Sequence, residues 1–138
     1  MGIAELQSQI ASLECGIMSK RASISQIDAK TAAITEARTH AIAARDEAES
    51  LVRSASYFAL AGWKGSHANA FMRRVSAGGE AASEASTMHA RCIELVESMD
   101  AQLGSLRGER SALQSSITRD QRSIDQAWRN VNRLRKAR

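Results

Sequence analysis

The sequence predicts an all-α protein: a long antiparallel helical hairpin, in effect a two-helix coiled coil, assembling into a four-helix bundle. Three observations carry this prediction. The chain has 138 residues and no proline, and an interior proline would cost a helix about 3 kcal/mol. Two long stretches place apolar residues at alternating steps of three and four, the pattern of helices packed along a coiled-coil seam. Between them lies a short segment with Gly62, Gly65 and four of the chain's five aromatic residues. One domain, residues 1–138, is expected.

Arm 1 covers about residues 3–61. Its seam runs Ile3, Leu6, Ile10, Leu13, Ile17, Lys20, Ile24, Ile27, Thr31, Ile34, Arg38, Ala41. Only Lys20, Thr31 and Arg38 break the apolar pattern. The expected turn occupies residues 62–66. Gly62 and Gly65 suit a chain reversal because glycine ends helices and tolerates positive φ. Ser66 can cap the following helix by accepting a backbone N–H bond. Trp63 offers a large rigid apolar plate on this corner, and Phe71 can pack back against it.

Arm 2 covers about residues 67–134. Its seam runs Cys92, Val96, Met99, Leu103, Leu106, Arg110, Leu113, Ile117, Asp120, Ile124, Ala127, Val131, Leu134. Gly78-Gly79 predicts a bend, and the Gly104-x-x-x-Gly108 pair predicts a point of close packing. At 1.5 Å per residue each arm would reach roughly 80–100 Å.

A reversal at residues 62–66 makes residue i face about residue 128 − i. Bulky stretches then meet bulky ones, and the Ala-rich part of arm 1 meets the Ala-rich start of arm 2. Lys20 and Arg110 fall at nearly the same height, two cations in one seam, which is costly unless they reach water or an acid on another helix. Residues 126–138 are left as an overhang with Trp128, Val131 and Leu134 on one stripe. These mismatches, and the small core of a two-helix hairpin, predict an oligomer. The residues expected at the interface with a partner are Ile10, Ile17, Lys20, Ile24, Ile27 and Ile34 on arm 1 and Met99, Leu103, Leu106, Arg110, Leu113 and Ile117 on arm 2.

The net charge is +4, and the last ten residues carry five positive charges: Arg129, Arg133, Arg135, Lys136 and Arg138. With Trp128 they form a basic tail on a near-neutral body. That is a weak signal for nucleic acid, and an acidic protein or anionic lipid surface suits it equally. Cys15 and Cys92 fit no zinc or redox spacing and are expected as free thiols. His40, His67 and His89 show no ligand spacing, so neither metal nor cofactor is expected. No phosphate loop and no nucleophile–base pattern occurs, so the chain is not expected to be an enzyme. The N-terminus lacks the basic and apolar regions of a Sec signal, and no apolar run is long enough to span a membrane.

The string Trp63-x-Gly65-x-x-Ala68-x-x-Phe71, set between two long proline-free helices, resembles the WXG superfamily, the small helical hairpins of type VII (ESX) secretion. The resemblance covers the whole architecture, while identity rests on about nine residues. Two departures stand out. The chain is longer than the founding members, and Asn132 stands where the acid of a Tyr-x-x-x-Asp/Glu export signal would follow the position of Trp128. Longer arms without that signal look most like the small partner proteins of LXG toxins. The resemblance implies a non-enzymatic targeting chaperone or co-secreted subunit. Such a protein pairs with a copy of itself, a related hairpin or the helical N-terminal domain of a toxin, and meets a secretion ATPase. It folds in the cytoplasm, and either leaves by the type VII route with its cargo or stays inside as a chaperone. The rival expectation is a cytoplasmic coiled-coil scaffold, or a nucleic-acid-associated protein that uses the basic tail.

Overall fold

Uninterrupted 3–4 patterning and the lack of proline give two long helices. The structure, a computed structural model, describes residues 2–60 and 80–137, with side chains over 2–54 and 83–137. Helix α1 spans Ile3–Leu60 and helix α2 spans Glu80–Lys136. No strand occurs among the described residues. Glu5 in the first turn of α1, and Arg133, Arg135 and Lys136 in the last turn of α2, place charges that suit the two ends of the helix dipole. The expected turn at 62–66, with Trp63, Gly65, Ala68 and Phe71, lies outside the described residues, as does the expected bend at Gly78-Gly79.

The helices pack against each other as an antiparallel hairpin. Three ion pairs cross from one helix to the other and set the register: Lys20 with Asp120, Asp28 with Arg110, and Arg38 with Asp100. The paired numbers add to 140, 138 and 138, not to the expected 128. Across the stretch these pairs span, residues of α1 therefore stand beside residues of α2 about ten positions later than the sequence pattern suggests. The chain forms two compact units, Met1–Ala32 with Gly104–Arg138 and Ala33–Leu103.

The first unit holds the bulky core. Leu6, Ile10, Ile17 and Ile24 from α1 meet Ile117, Ile124, Ala127 and Val131 from α2, with Ile3, Leu13 and Leu113 packed against them. Val131 is fully buried. The expected overhang at 126–138 is therefore corrected: Ala127 and Val131 are core residues packed with Leu6 and Ile10, and Asn130 is half-buried. The physical reason is the register, which gives this segment of α2 a partner in the first turns of α1. Trp128 and Leu134 stay exposed beside this core, at 39% and 36%.

The second unit is lined with small residues. Ala41, Ala48, Ala85, Cys92 and Val96 are buried, and Ile34, Val52, Met99 and Leu103 are half-buried. Alanines remove less apolar area from water than Leu or Ile, so each layer contributes less here than in the first unit. Both cysteines are free thiols, Cys15 exposed and Cys92 buried.

Gly104 and Gly108 do not mark a close approach. A methyl group added to either would meet nothing within 4 Å. Their backbones lie in the middle of α2, where glycine costs about 0.8–1 kcal/mol relative to alanine. Gly104→Ala and Gly108→Ala are expected to stabilise the chain by about 1 kcal/mol each. Urea unfolding monitored by circular dichroism checks this, and an unchanged or lower midpoint contradicts it.

Candidate interaction surface

The seam residues are where a binding surface was expected. On α1 every one of them from Ile3 to Ala41 is buried or half-buried. On α2 the same holds from Cys92 to Val131 except for Arg110, which is exposed, as is Leu134 beyond them. The two arms cover each other along this line. Ile10, Ile17, Ile24, Ile27 and Ile117 are buried, while Ile34, Met99, Leu103, Leu106 and Leu113 keep one edge in water.

The polar seam residues find partners within the chain. Lys20 Nζ donates to Asp120 Oδ2 at 2.5 Å, with side-chain exposures of 29% and 19%. Most of this pair is out of water, so loss of either member would strand the other. Arg110 Nε donates to Asp28 Oδ1 at 2.8 Å, and Arg38 Nε to Asp100 Oδ1 at 2.6 Å. The hydrogen bond to Asp28 raises the Arg110 guanidinium above its ordinary value. Lys20 and Arg110 do not face each other, and neither needs an acid from a third or fourth helix. The expectation of mismatched seam cations is corrected, because the ten-residue change of register carries each cation to a carboxylate of the opposite helix. Among the described residues, no buried side-chain polar atom lacks a hydrogen-bond partner.

With the seam filled from within, the flanks are what remains for a partner. In an antiparallel pair, the residue just before each seam position a lies on one flank and stands level with its counterpart on the other helix. In the second unit this places Leu51 level with Met88 and Ala44 level with Leu95. Leu51 is 57% exposed, and Met88 and Leu95 are each 48% exposed. A shallow groove runs along this part of α2, lined by Thr87, Met88, Arg91, Cys92 and Leu95 with Ser83 and Glu84 at its end. The equivalent flank of the first unit carries Gln9, Gly16 and Ser23 on α1 with Ser116, Ser123 and Asn130 on α2. That flank is small and polar. On this flank, among the described residues, the large apolar side chains lie in the second unit with polar residues around them, the pattern of an interface core with its rim.

Sequence reasoning missed Leu51, Met88 and Leu95 because each lies off the seam and looks like an isolated exposed residue. Their shared position, one before a seam residue, was the available signal. Among the described residues no three His, Cys, Asp or Glu side chains gather as a metal set, and no described helix is long and apolar enough to cross a membrane. The comparisons with known proteins add no relative: no family model, curated protein or solved structure matches the chain.

Proposed function

We propose that this chain is a non-enzymatic adaptor: a WXG-like helical hairpin of type VII secretion that partners a larger effector such as an LXG toxin. The observation that carries this reading is the antiparallel pairing of α1 and α2 on either side of the segment containing Trp63 and Gly65. A hairpin whose seam is closed by its own ion pairs is a finished unit. It offers a partner its flanks, not its core. Leu51, Met88 and Leu95 supply apolar anchors for an amphipathic helix of the effector's N-terminal domain, which would extend the two-helix pair toward a four-helix bundle. The segment containing Trp63 and Gly65 supplies recognition by the export machine.

Co-expression and pull-down of the full chain with the effector domain tests the reading. Met88→Glu with Leu95→Glu is expected to weaken capture at least tenfold while leaving helical content unchanged, because both side chains are exposed in the free hairpin. Trp63→Ala is expected to spare the fold and reduce export. Wild-type capture by the double variant, together with wild-type export of Trp63→Ala, would overturn the proposal. If the flank variant instead converts a dimer of this chain into a monomer, the occupant of the flank is a second copy.

A further inference from the structure

The basic character of the chain is not confined to its last residues. The first unit carries twelve Lys and Arg against six Asp and Glu, whereas the second carries seven against nine. Most of the excess lies on one line of α2. Arg119, Arg122, Gln126, Arg129, Arg133 and Lys136 follow one another at steps of three and four, the same spacing as the seam but on the opposite side of the helix. All six are exposed, and every one is a hydrogen-bond donor. Complementing the helix dipole explains only the cations of the last turn, yet the stripe begins about five turns earlier and spans about 25 Å.

Among the described residues these charges hold no carboxylate: Arg129 Nε donates only to the backbone carbonyl of Asp125 at 3.4 Å, and Gln126 Nε2 to Asn130 Oδ1 at 3.3 Å. Lys20, Arg38 and Arg110 each hold a carboxylate of the facing helix. Among the described residues no cation of the stripe has an acid within ion-pair distance. The helix beneath them is held by the buried Ile124, Ala127 and Val131. The donors therefore stand on a rigid, packed element and not on a loose tail.

We infer that this stripe binds duplex nucleic acid through its backbone phosphates. The stripe contains no apolar side chain. A protein partner would require an apolar centre, and an anionic membrane would be met by an apolar face beside the charges. A single strand would require aromatic platforms for its bases, and Trp128 lies off the line, one position from the seam residue Ala127. A polyphosphate backbone is the ligand that charge and hydrogen bonding alone can hold. No base-reading arrangement is implied, so binding is independent of sequence. This inference does not depend on the adaptor role, since it uses a different unit and a different face.

The test is fluorescence anisotropy of the full chain with a labelled mixed-sequence duplex of 20 base pairs, as DNA and as RNA, at about 50 and 200 mM salt. Neutralising five phosphates predicts a loss of affinity of about 10²–10³-fold between the two salt concentrations. Arg122→Gln/Arg129→Gln/Arg133→Gln is expected to abolish most binding at low salt and to flatten the salt dependence. Arg53→Gln, an exposed cation of the second unit outside the apolar groove, should leave both unchanged. Circular dichroism confirms that the triple variant keeps its helices. Absence of binding to either duplex at low salt, or equal binding by the triple variant, overturns the inference. So does binding to phosphatidylserine vesicles or polyglutamate without binding to a duplex.

Discussion

Truncation after residue 125 is expected to destabilise the protein severely, by about 5 kcal/mol or more, since several buried side chains worth about 1.5–3 kcal/mol each lose their cover. An unpaired overhang would have been dispensable, but the C-terminal segment is half of a core. Deleting residues 126–138 removes Ala127 and Val131 and leaves Leu6 and Ile10 facing water where α2 had covered them. Ile3, packed against the same cluster, loses its neighbours too. Thermal unfolding by circular dichroism should show a midpoint lower by at least about 10 °C, with loss of helix concentrated in the first turns of α1. A truncated chain that melts like the full one would mean that the register drawn from the three ion pairs is wrong. Val131→Ala offers a milder version, with an expected cost of about 1–3 kcal/mol for a fully buried valine.

The second large effect concerns Lys20 and Asp120. Asp120→Lys is expected to destabilise the hairpin by about 3 kcal/mol, because it sets two cations together in a site largely shielded from water. The exchanged pair, Lys20→Asp with Asp120→Lys, should recover most of that loss, giving a coupling energy of about 2 kcal/mol in a double-mutant cycle. Replacing both by Met and Leu should be neutral or stabilising, since an apolar pair has no desolvation penalty to offset. Urea unfolding of the wild type, Lys20→Asp, Asp120→Lys and the exchanged pair at equal ionic strength provides the measurement. If the exchanged pair is no more stable than Asp120→Lys alone, Lys20 and Asp120 do not act on each other. The all-apolar variant adds a separate readout. Without the charges, the helices should slip more readily by a heptad, visible as heterogeneous cross-linking between cysteines introduced at paired heights.

Register is where the structure departs from the sequence expectation. With Trp63-Gly65 as the midpoint of the hairpin, large stretches match large ones and small match small. Size matching is a coarse guide. The bulky residues Ile3–Ile34 meet bulky residues whether α2 is placed by the expected register or ten positions along. The charges discriminate better. Under the expected register Lys20 meets Arg110, whereas in the structure Lys20, Asp28 and Arg38 each meet the opposite sign. That set of three matches was present in the sequence, and it also removes the argument that polar seam residues demand a further chain.

The candidate surfaces were legible to different degrees. Arg129, Arg133, Arg135 and Lys136 stand out as basic from composition alone. Their joining to Arg119 and Arg122 as one exposed stripe depends on knowing that Ile124, Ala127 and Val131 face inward. Leu51 and Met88 lie far apart in the chain, and only the antiparallel register sets them level.

The amino-acid order by itself determined the two helices and the line of residues along which they bury, because helical periodicity and proline content act locally and the alternation of three and four leaves one face to hide. The tertiary structure decided how far one helix is displaced along the other, and with it that the C-terminal segment is core, that the seam charges are paired and that the flank of the second unit is apolar. The physical reason is that apolar contacts have no direction and a heptad slip preserves them nearly whole. Paired charges and the ends of helices occupy single positions, so only their matching across the hairpin selects one register.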